Sequence, residues 1–232
     1  MPLSSDPMPD GTADTPEWRA SDGRVPGRRG QATRQRLLDT LADLLVERPY
    51  RLLTVTDVAR AAGTSAATFY QYFPDMESAV LVLARGTVAD AAQLRDLIEQ
   101  GNWQAAEAAG TARMLVDAVL AHWGEHAAVL RVVGLLTHDG DGRFAAVRSE
   151  LLGGLTEALA AAVRRHRTGD RVGDIAGTLA GGLVAMVTEM ATEQTRTDDA
   201  GAPLTADLSP EELRSNLSRL LVLSVTGRDS AA

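Results

Sequence analysis

Cysteine and lysine are both absent from this 232-residue sequence, and aromatic residues make up only 4% of it. The absence of cysteine excludes disulfide bonds, cysteine–zinc sites and thiol chemistry, as is typical of proteins of a reducing cytoplasm. All 23 basic residues are arginines, whose guanidinium groups are permanently charged. No apolar run reaches membrane-spanning length and no segment resembles a signal peptide, so we expect a cytoplasmic protein that does not enter a membrane.

The formal net charge of −8 is distributed unevenly along the chain. Residues 1–23 carry −4, residues 24–75 carry +3 and residues 76–232 carry −7. Attraction to phosphate depends on the charges within a Debye length, about 10 Å at 0.1 M salt. The basic segment can therefore bind nucleic acid although the whole chain is acidic.

Residues 54–74 have the spacing of two short helices joined by a tight turn. Thr54 and Asp57 have capping-box spacing at the start of the first helix. Gly63 stands where the chain leaves that helix, a position that favours a positive φ. Ser65 is a suitable N-cap for the second helix. This pattern predicts a helix-turn-helix.

The second helix of this hairpin has two different faces. Phe69, Tyr72 and Phe73 share the side that faces the first helix. The outward face carries small and hydrogen-bonding side chains: Ala66, Ala67, Thr68, Tyr70 and Gln71. Glutamine can pair with adenine, and alanine and the threonine methyl can pack on thymine, so this face suits a DNA major groove. From spacing alone, an ordinary helical hairpin with an exposed polar face remains an equal alternative.

Further helices are predicted on both sides of the hairpin. A helix over 33–47 has a core-facing stripe of leucines, namely Leu37, Leu38, Leu41, Leu44 and Leu45. After the hairpin, Asp75 can cap a connecting helix that continues to about Glu99. Its 24 residues would span about 36 Å, enough to join the DNA-facing end to a second domain.

The segment TVTDVARAAGTSAATFYQYFP resembles the DNA-binding signature of TetR-family transcriptional regulators, and RQRLLDTLADLLVERPY resembles the first helix of that family. The resemblance covers about residues 33–85. Within the family, LLVERPYRLLTVTDVARAAG and TFYQYFPDMESAVLVL are similar to EthR-type repressors, whose effectors are lipophilic small molecules. Family members usually carry lysine after the position of Asp75 and a basic residue at the position of Ala66. Here Met76 and Ala66 stand at those positions, which implies weaker phosphate contacts.

The resemblance implies a repressor that a lipophilic effector releases from a palindromic operator. Its domains would be an acidic disordered tail over 1–23, a basic arm or solvated linker over 24–32, a DNA-binding domain over 33–74 and an effector-binding and dimerisation domain over 75–232. The residues expected to contact DNA are Arg28, Arg29, Thr33, Thr54, Thr56, Ser65, Ala66, Ala67, Thr68, Tyr70, Gln71 and Tyr72. The resemblance also implies a homodimer formed through 172–195 and 209–226.

The second half of the chain is rich in alanine and leucine and shows no alternating strand pattern. The predicted helices are 103–125, 127–136, 142–167, 172–195 and 209–226. The sequence therefore predicts an all-α protein of about nine helices. Its N-terminal domain would be a three-helix helix-turn-helix unit, followed by a C-terminal helical ligand-binding and dimerisation domain.

An effector pocket within these later helices follows from the resemblance. Its candidate wall residues, each also suited to an ordinary helical core, are Trp103, Met114, Leu115, Val119, Trp123, Phe144, Leu151, Met186 and Met190. Thr188 and Glu189 are candidate polar anchors. Because few of these residues are charged, a lipophilic ligand is favoured.

One motif suggests a different function. His122, Glu125 and His126 have the H-x-x-E-H order of inverzincin metallopeptidases, in which the two histidines hold zinc. A third ligand would have to come from a residue such as Glu189 or Glu193. The pattern also fits the polar end of a helix, where histidine is favoured by the helix dipole. We expect this second interpretation to hold, and therefore no enzyme activity, metal or cofactor.

Overall fold

The computed structural model describes residues 27–104, 107–167, 172–195 and 209–227, so the predicted tail and residues 24–26 of the predicted arm lie outside the described residues. The described residues form α-helices and one 3-10 turn, without strands, which confirms the all-α class. The helices are α1 (Arg28–Glu47), α2 (Val55–Ala61), α3 (Ala66–Tyr72), α4 (Met76–Asp90), α5 (Ala92–Gln100), α6 (Ala108–Glu125), α7 (Ala127–His138), α8 (Gly142–His166), α9 (Val172–Gln194) and α10 (Pro210–Thr226). The 3-10 turn is Tyr50–Leu52.

Local capping rules account for the α2–α3 hairpin. The hydroxyl of Thr54 accepts a hydrogen bond from the amide of Asp57, whose carboxylate accepts one from the amide of Thr54. Gly63 has φ +68, in the left-handed region that favours glycine. The hydroxyl of Ser65 accepts a hydrogen bond from the amide of Thr68 at 3.2 Å and caps α3. The predicted capping box, turn glycine and N-cap are thus confirmed.

The described residues form two hydrophobic cores, which we call the N-terminal and the C-terminal core. The N-terminal core contains the leucine stripe of α1, the inner faces of α2 and α3, and most of α4. It also contains α7 and the start of α8, through residues such as Val132, Phe144 and Val147. The C-terminal core begins at Ala91 and continues through α5, α6, the rest of α8, α9 and α10. The long helix α8 therefore belongs to both cores, as Phe144 and Leu151 illustrate.

The connecting helix is shorter than predicted. α4 ends at Asp90 and α5 begins at Ala92, so the predicted continuous helix to Glu99 is wrong. The hydroxyl of Thr87 donates to the carbonyl of Ala84 at 2.8 Å, and such back-bonding bends helices. α1 also differs from its predicted bounds, because it begins at Arg28 rather than at Thr33.

Helix α10 packs by one face and leaves the other uncovered. Its start is fixed by a capping box between Ser209 and Glu212 with Pro210 in the first turn. Its residues Leu213, Leu217 and Leu221 are buried in the C-terminal core, and exposed ion pairs join Glu211 and Arg214 to α6. On the opposite face, Leu220 is 41% exposed.

One segment corrects the expectation that no apolar run reaches membrane-spanning length. Ile175–Gln194 in α9 is long and apolar enough by length and composition, yet only 39% of it is buried in the single chain. Buried core helices of globular proteins pass the same composition test. The exposed residues of this segment include Ile175 and the small residues Gly182 and Ala185.

Candidate DNA interface and ligand cavity

The outward face of α3 is built on a rigid aromatic base. Phe69 is completely buried, and its ring lies 5.4 Å from that of Phe73. The guanidinium of Arg34, on α1, lies 5.1 Å above the Phe73 ring, a cation–π arrangement that ties α1 to the end of α3. Burial lowers the pKa of Arg34, which nevertheless stays charged at neutral pH. The inner face of the hairpin thus packs against α1.

The other side of α3 is open to solvent. Tyr70 is 51% exposed, and Ala67 and Gln71 are also exposed. Ala66, Thr68 and Tyr72 are half-buried at the edges of this face. Aromatic, amide and methyl groups therefore lie on one short helix, and such groups can contact base edges in a major groove.

Several residues predicted to contact DNA form hydrogen bonds with neighbouring residues of the chain. The hydroxyl of Thr54 donates to the carboxylate of Asp57 at 2.6 Å. The hydroxyls of Ser65 and Thr68 lie 3.0 Å apart and share a hydrogen bond. Thr33 donates to the carbonyl of Arg29 at 3.0 Å, whereas Thr56 is exposed at the start of α2.

Arg28 and Arg29 lie exposed in the first turn of α1. Cations at a helix N-terminus oppose the helix dipole, so helix stability does not explain them. An anionic partner such as a phosphate group would satisfy both arginines and the free amides of that turn.

A small, wholly apolar cavity of about 30 Å³ lies in the C-terminal core. Its wall comprises Ile98, Leu115, Val116, Val119, Leu155, Leu159, Leu183, Val184, Val187, Thr188 and Leu221. Of the predicted effector residues, it includes Leu115, Val119 and Thr188. Val184 and its apolar neighbours on α9 were missed because they cannot be told from ordinary core residues by sequence.

A second, larger depression lies between the end of α6, α7, α8 and α9. This groove measures about 390 Å³ and is lined by Trp123, Leu130, Arg131, Val133, Gly134, Leu135, Arg148, Leu151, Leu152, Thr188, Glu189 and Thr192. It brings together the predicted residues Trp123, Leu151, Thr188 and Glu189. Thr188 lines both the cavity and the groove.

Five other predicted effector residues line neither space. Phe144 lies in the N-terminal core, where it is fully buried. Met114 is 57% exposed on α6. Trp103 is buried and donates from Nε1 to the carbonyl of Ile98 at 3.1 Å. Met186 and Met190 pack against the C-terminal core.

The two motif histidines lie side by side at the corner between α6 and α7, with their ring planes 59° apart. Their ring centroids are 4.6 Å apart, and Nε2 of His126 lies 3.4 Å from Oδ2 of Asp90. His122 is 3% exposed. Within the described parts of the chain, no three histidine, cysteine or acidic side chains are grouped so that they could hold a metal ion. The geometry thus offers no third ligand there for a zinc peptidase.

The pKa of His122 is lowered mainly by burial of its ring and secondly by the nearby His126. The ring is therefore neutral at pH 7. As the pH falls below about 6.5, the His122 side chain therefore becomes protonated in the unfolded chain before it does so in the folded chain. We expect the free energy of unfolding to decrease by up to about 1.4 kcal/mol per pH unit as the pH falls below about 6.5. Urea unfolding should show a weaker dependence in His122→Leu over this window. Identical slopes in the two proteins would contradict the assignment.

Two protein families match the chain. The family described as tetracyclin repressor-like, C-terminal domain, matches residues 94–232, and bacterial regulatory proteins, tetR family, match residues 37–81. The transcriptional regulator EthR of Mycobacterium tuberculosis is 45% identical over 47 residues. That match spans 20% of this chain and only 22% of the relative's length.

Two solved structures share the fold. A TetR-family regulator from Mesorhizobium loti has a TM-score of 0.57 and 17% identity, covering 86% of this chain and 96% of its own. The fatty acid degradation regulator FadR from Bacillus halodurans has a TM-score of 0.56 and 16% identity, covering 88% and 98%. At these identities the likeness concerns the fold alone.

Proposed function

Because the chain belongs to the TetR family of transcriptional regulators, we propose that it binds a palindromic operator as a homodimer and leaves it when a lipophilic small molecule binds. The observation that carries the proposal is the open outer face of α3 on a buried aromatic base. Such a regulator acts in the cytoplasm, where the DNA is. A metallopeptidase has no comparable support, since the motif histidines have no third ligand among the described residues.

In this proposal, α3 is the recognition helix. Gln71 pairs with an adenine through its amide, and Ala67 and the Thr68 methyl pack on thymine methyl groups. The hydroxyls of Thr54 and Thr56 at the start of α2 approach the phosphate backbone. The assignment is supported by the exposure of Gln71 and Ala67 and by the position of both threonines at a helix N-terminus.

Arg28 and Arg29 supply phosphate contacts in this proposal. They replace the two basic positions that this chain fills with Ala66 and Met76, of which Met76 is buried in the N-terminal core. The support is their exposure at a helix end where their charge has no stabilising role. Affinity for DNA should therefore depend strongly on salt.

The dimer forms through α9 and α10. Leu220 and Leu223 are exposed beside Asn216 and Arg219 on the outer face of α10. On α9, Ile175 is 43% exposed and is followed at helical spacing by the exposed small residues Gly182 and Ala185. Small residues permit close approach of a second helix, and exposed leucines gain from burial. A second copy of the chain would cover both faces.

Effector binding in the C-terminal core would move the DNA-binding helices through two links. Val88 of α4 packs against both cores, and α8 contributes buried residues to both. A ligand that enlarges the cavity must displace α8 or α9, since the cavity of about 30 Å³ is smaller than a drug-sized ligand requires. Such a shift changes the separation of the two recognition helices, about 34 Å in a form that fits successive major grooves.

Gln71→Ala should weaken binding to the specific operator by about 1–3 kcal/mol and relax the preference at one base pair. The reason is that the substitution removes the only amide from the outer face of α3. Fluorescence anisotropy on the operator and on single-base variants measures both effects. Gln100→Ala, exposed at the end of α5, serves as the control. An unchanged affinity and base preference in Gln71→Ala would remove this residue from the readout.

The effector should weaken operator binding by the same factor as the operator weakens effector binding. A compound whose preference for the released form is about 2.7 kcal/mol lowers DNA affinity about 100-fold, and thermodynamic linkage requires operator DNA to weaken that compound equally. Calorimetric titration of a releasing compound, with and without saturating operator, measures this coupling. Equal affinities in the two titrations would exclude the compound as an inducer.

A further inference from the structure

We propose that the groove between α7, α8 and α9 binds the head of an amphipathic monoanion, with its carboxylate held by Arg131 and Arg148. The inference rests on the proposed function, because it specifies the chemical class of the lipophilic effector. It narrows the sequence-based expectation of a lipophilic ligand by adding a negatively charged head group.

The groove has the size and floor of a small-molecule site. Its volume of about 390 Å³ lies within the range of ligand pockets, about 300–1,000 Å³. Trp123, Leu151 and Val133 form a buried apolar floor, with Leu130 and Leu152 partly buried beside them. An aliphatic or aromatic body of a ligand would gain free energy by covering this surface.

The charged residues of the groove are exposed at its edge. Arg131 and Arg148 are exposed, and neither has an ion-pair or hydrogen-bond partner within the described residues. Two forked guanidinium groups at the edge of an apolar floor match a carboxylate, which accepts paired hydrogen bonds from arginine. Glu189 is the third charged residue of the lining. Two positive charges against one negative charge favour a monoanion over a phosphate dianion.

Thr188 lies in the wall shared by the groove and the apolar cavity. It lines both spaces, and its hydroxyl donates within α9 to the carbonyl of Val184 at 2.8 Å, so its polar atom is already satisfied. A ligand chain entering from the groove would meet the Thr188 methyl and then Val184 and Val187 of the cavity wall. The head group would stay at the surface while the chain enlarges the cavity. This orientation places the ligand against α7 of the N-terminal core and α9 of the proposed dimer interface.

Calorimetry with three eight-carbon probes tests the site on the full-length protein without DNA. Octanoate should bind at least about tenfold more tightly than 1-octanol, since one charge-assisted hydrogen bond is worth about 1.4 kcal/mol or more. Octyl phosphate, which is largely dianionic at pH 7.5, should bind more weakly than octanoate because of Glu189. Equal affinities for octanoate and 1-octanol, or no measurable binding of octanoate, would overturn the proposal. Equal or tighter binding of octyl phosphate would overturn the choice of a monoanion.

Substitutions locate the head group. Arg148→Gln and Arg131→Gln should each weaken octanoate about tenfold and leave 1-octanol within about twofold, which also shows that the groove is intact. Arg148→Lys keeps the charge without the fork and should be intermediate. Arg164→Gln, exposed farther along α8 and outside the groove, is the matched control and should bind as the wild type does. Unchanged octanoate binding in both glutamine variants would place the anion elsewhere.

These titrations contain no DNA, so their outcome is separate from the outcome for the proposed function. If octanoate binds as expected but no operator is found, the groove is a ligand site and the regulator proposal fails. If an operator is found but octanoate does not bind, the regulator proposal stands and the anion site fails.

Discussion

Leu220→Glu combined with Leu223→Glu should leave the protein monomeric and lower its affinity for the operator by at least about 100-fold. Both leucines are more than 40% exposed on the outer face of α10, which leaves the packing of α10 on α6 untouched. In a two-fold symmetric dimer, the introduced glutamates of one subunit would lie opposite those of the other. Their repulsion prevents burial of the outer face of α10. A dimer gains an avidity of about 10²–10⁴ from its second recognition helix, and a monomer loses it.

Light scattering and DNA anisotropy together measure this result. Met114→Glu is the matched control, because Met114 is 57% exposed on α6 and lines a depression whose other residues lie between Gln93 and Thr111. The control should remain dimeric and bind the operator as the wild type does. A double variant that stays dimeric would show that a different surface holds the two copies together. A monomer with wild-type DNA affinity would contradict the requirement for two recognition helices.

Gly101→Ala should destabilise the C-terminal core by about 1–3 kcal/mol or more, the usual cost of overpacking. A Cβ at this position would lie 2.5 Å from the Thr111 methyl and 2.7 Å from the carbonyl oxygen of Leu97. The backbone carbonyl cannot move without distorting the end of α5, and the Thr111 hydroxyl is held by its hydrogen bond to the carbonyl of Asn102. Close approach, rather than backbone conformation, thus requires glycine here.

Thermal unfolding compares this variant with Gly110→Ala. Gly110 lies in the first turn of α6, and a Cβ there would meet nothing within 4 Å. The control should therefore be neutral or stabilised by up to about 1 kcal/mol, because alanine favours a helix. If both variants have the stability of the wild type, the packing of α5 against α6 differs from this description.

Local features of the fold were predictable from sequence because they depend on neighbouring residues. The capping residues Thr54, Ser65 and Ser209 and the turn at Gly63 follow short rules that no distant contact overrides here. The leucine stripe of α1 follows from helical periodicity in the same way. The break at Ala91 has no such signal, since neither proline nor glycine stands at that position. The back-bonding of Thr87 precedes the break, but a threonine within a helix does not by itself predict a helix end.

The assignment of residues to sites was less predictable. Phe144 belongs to a helix that crosses from one core to the other, and periodicity identifies a buried face without saying which core covers it. Arg131 and Arg148 resemble any exposed arginines in the sequence, so only the fold shows that they border the same groove. By contrast, the outer face of α3 was predictable because one short helix contains the whole pattern.

Selection from random DNA duplexes tests the central claim most directly. The full-length protein, without added effector, is incubated with a library of randomised 40-base-pair duplexes. Bound duplexes are recovered and sequenced after several rounds. A dimeric regulator should enrich one palindrome whose half-sites lie about 10 base pairs or a multiple apart, centre to centre. Gln71→Ala should lose the preference at one symmetric pair of positions within that palindrome. Failure to enrich any sequence, or enrichment of an asymmetric site by the wild-type protein, would contradict the account.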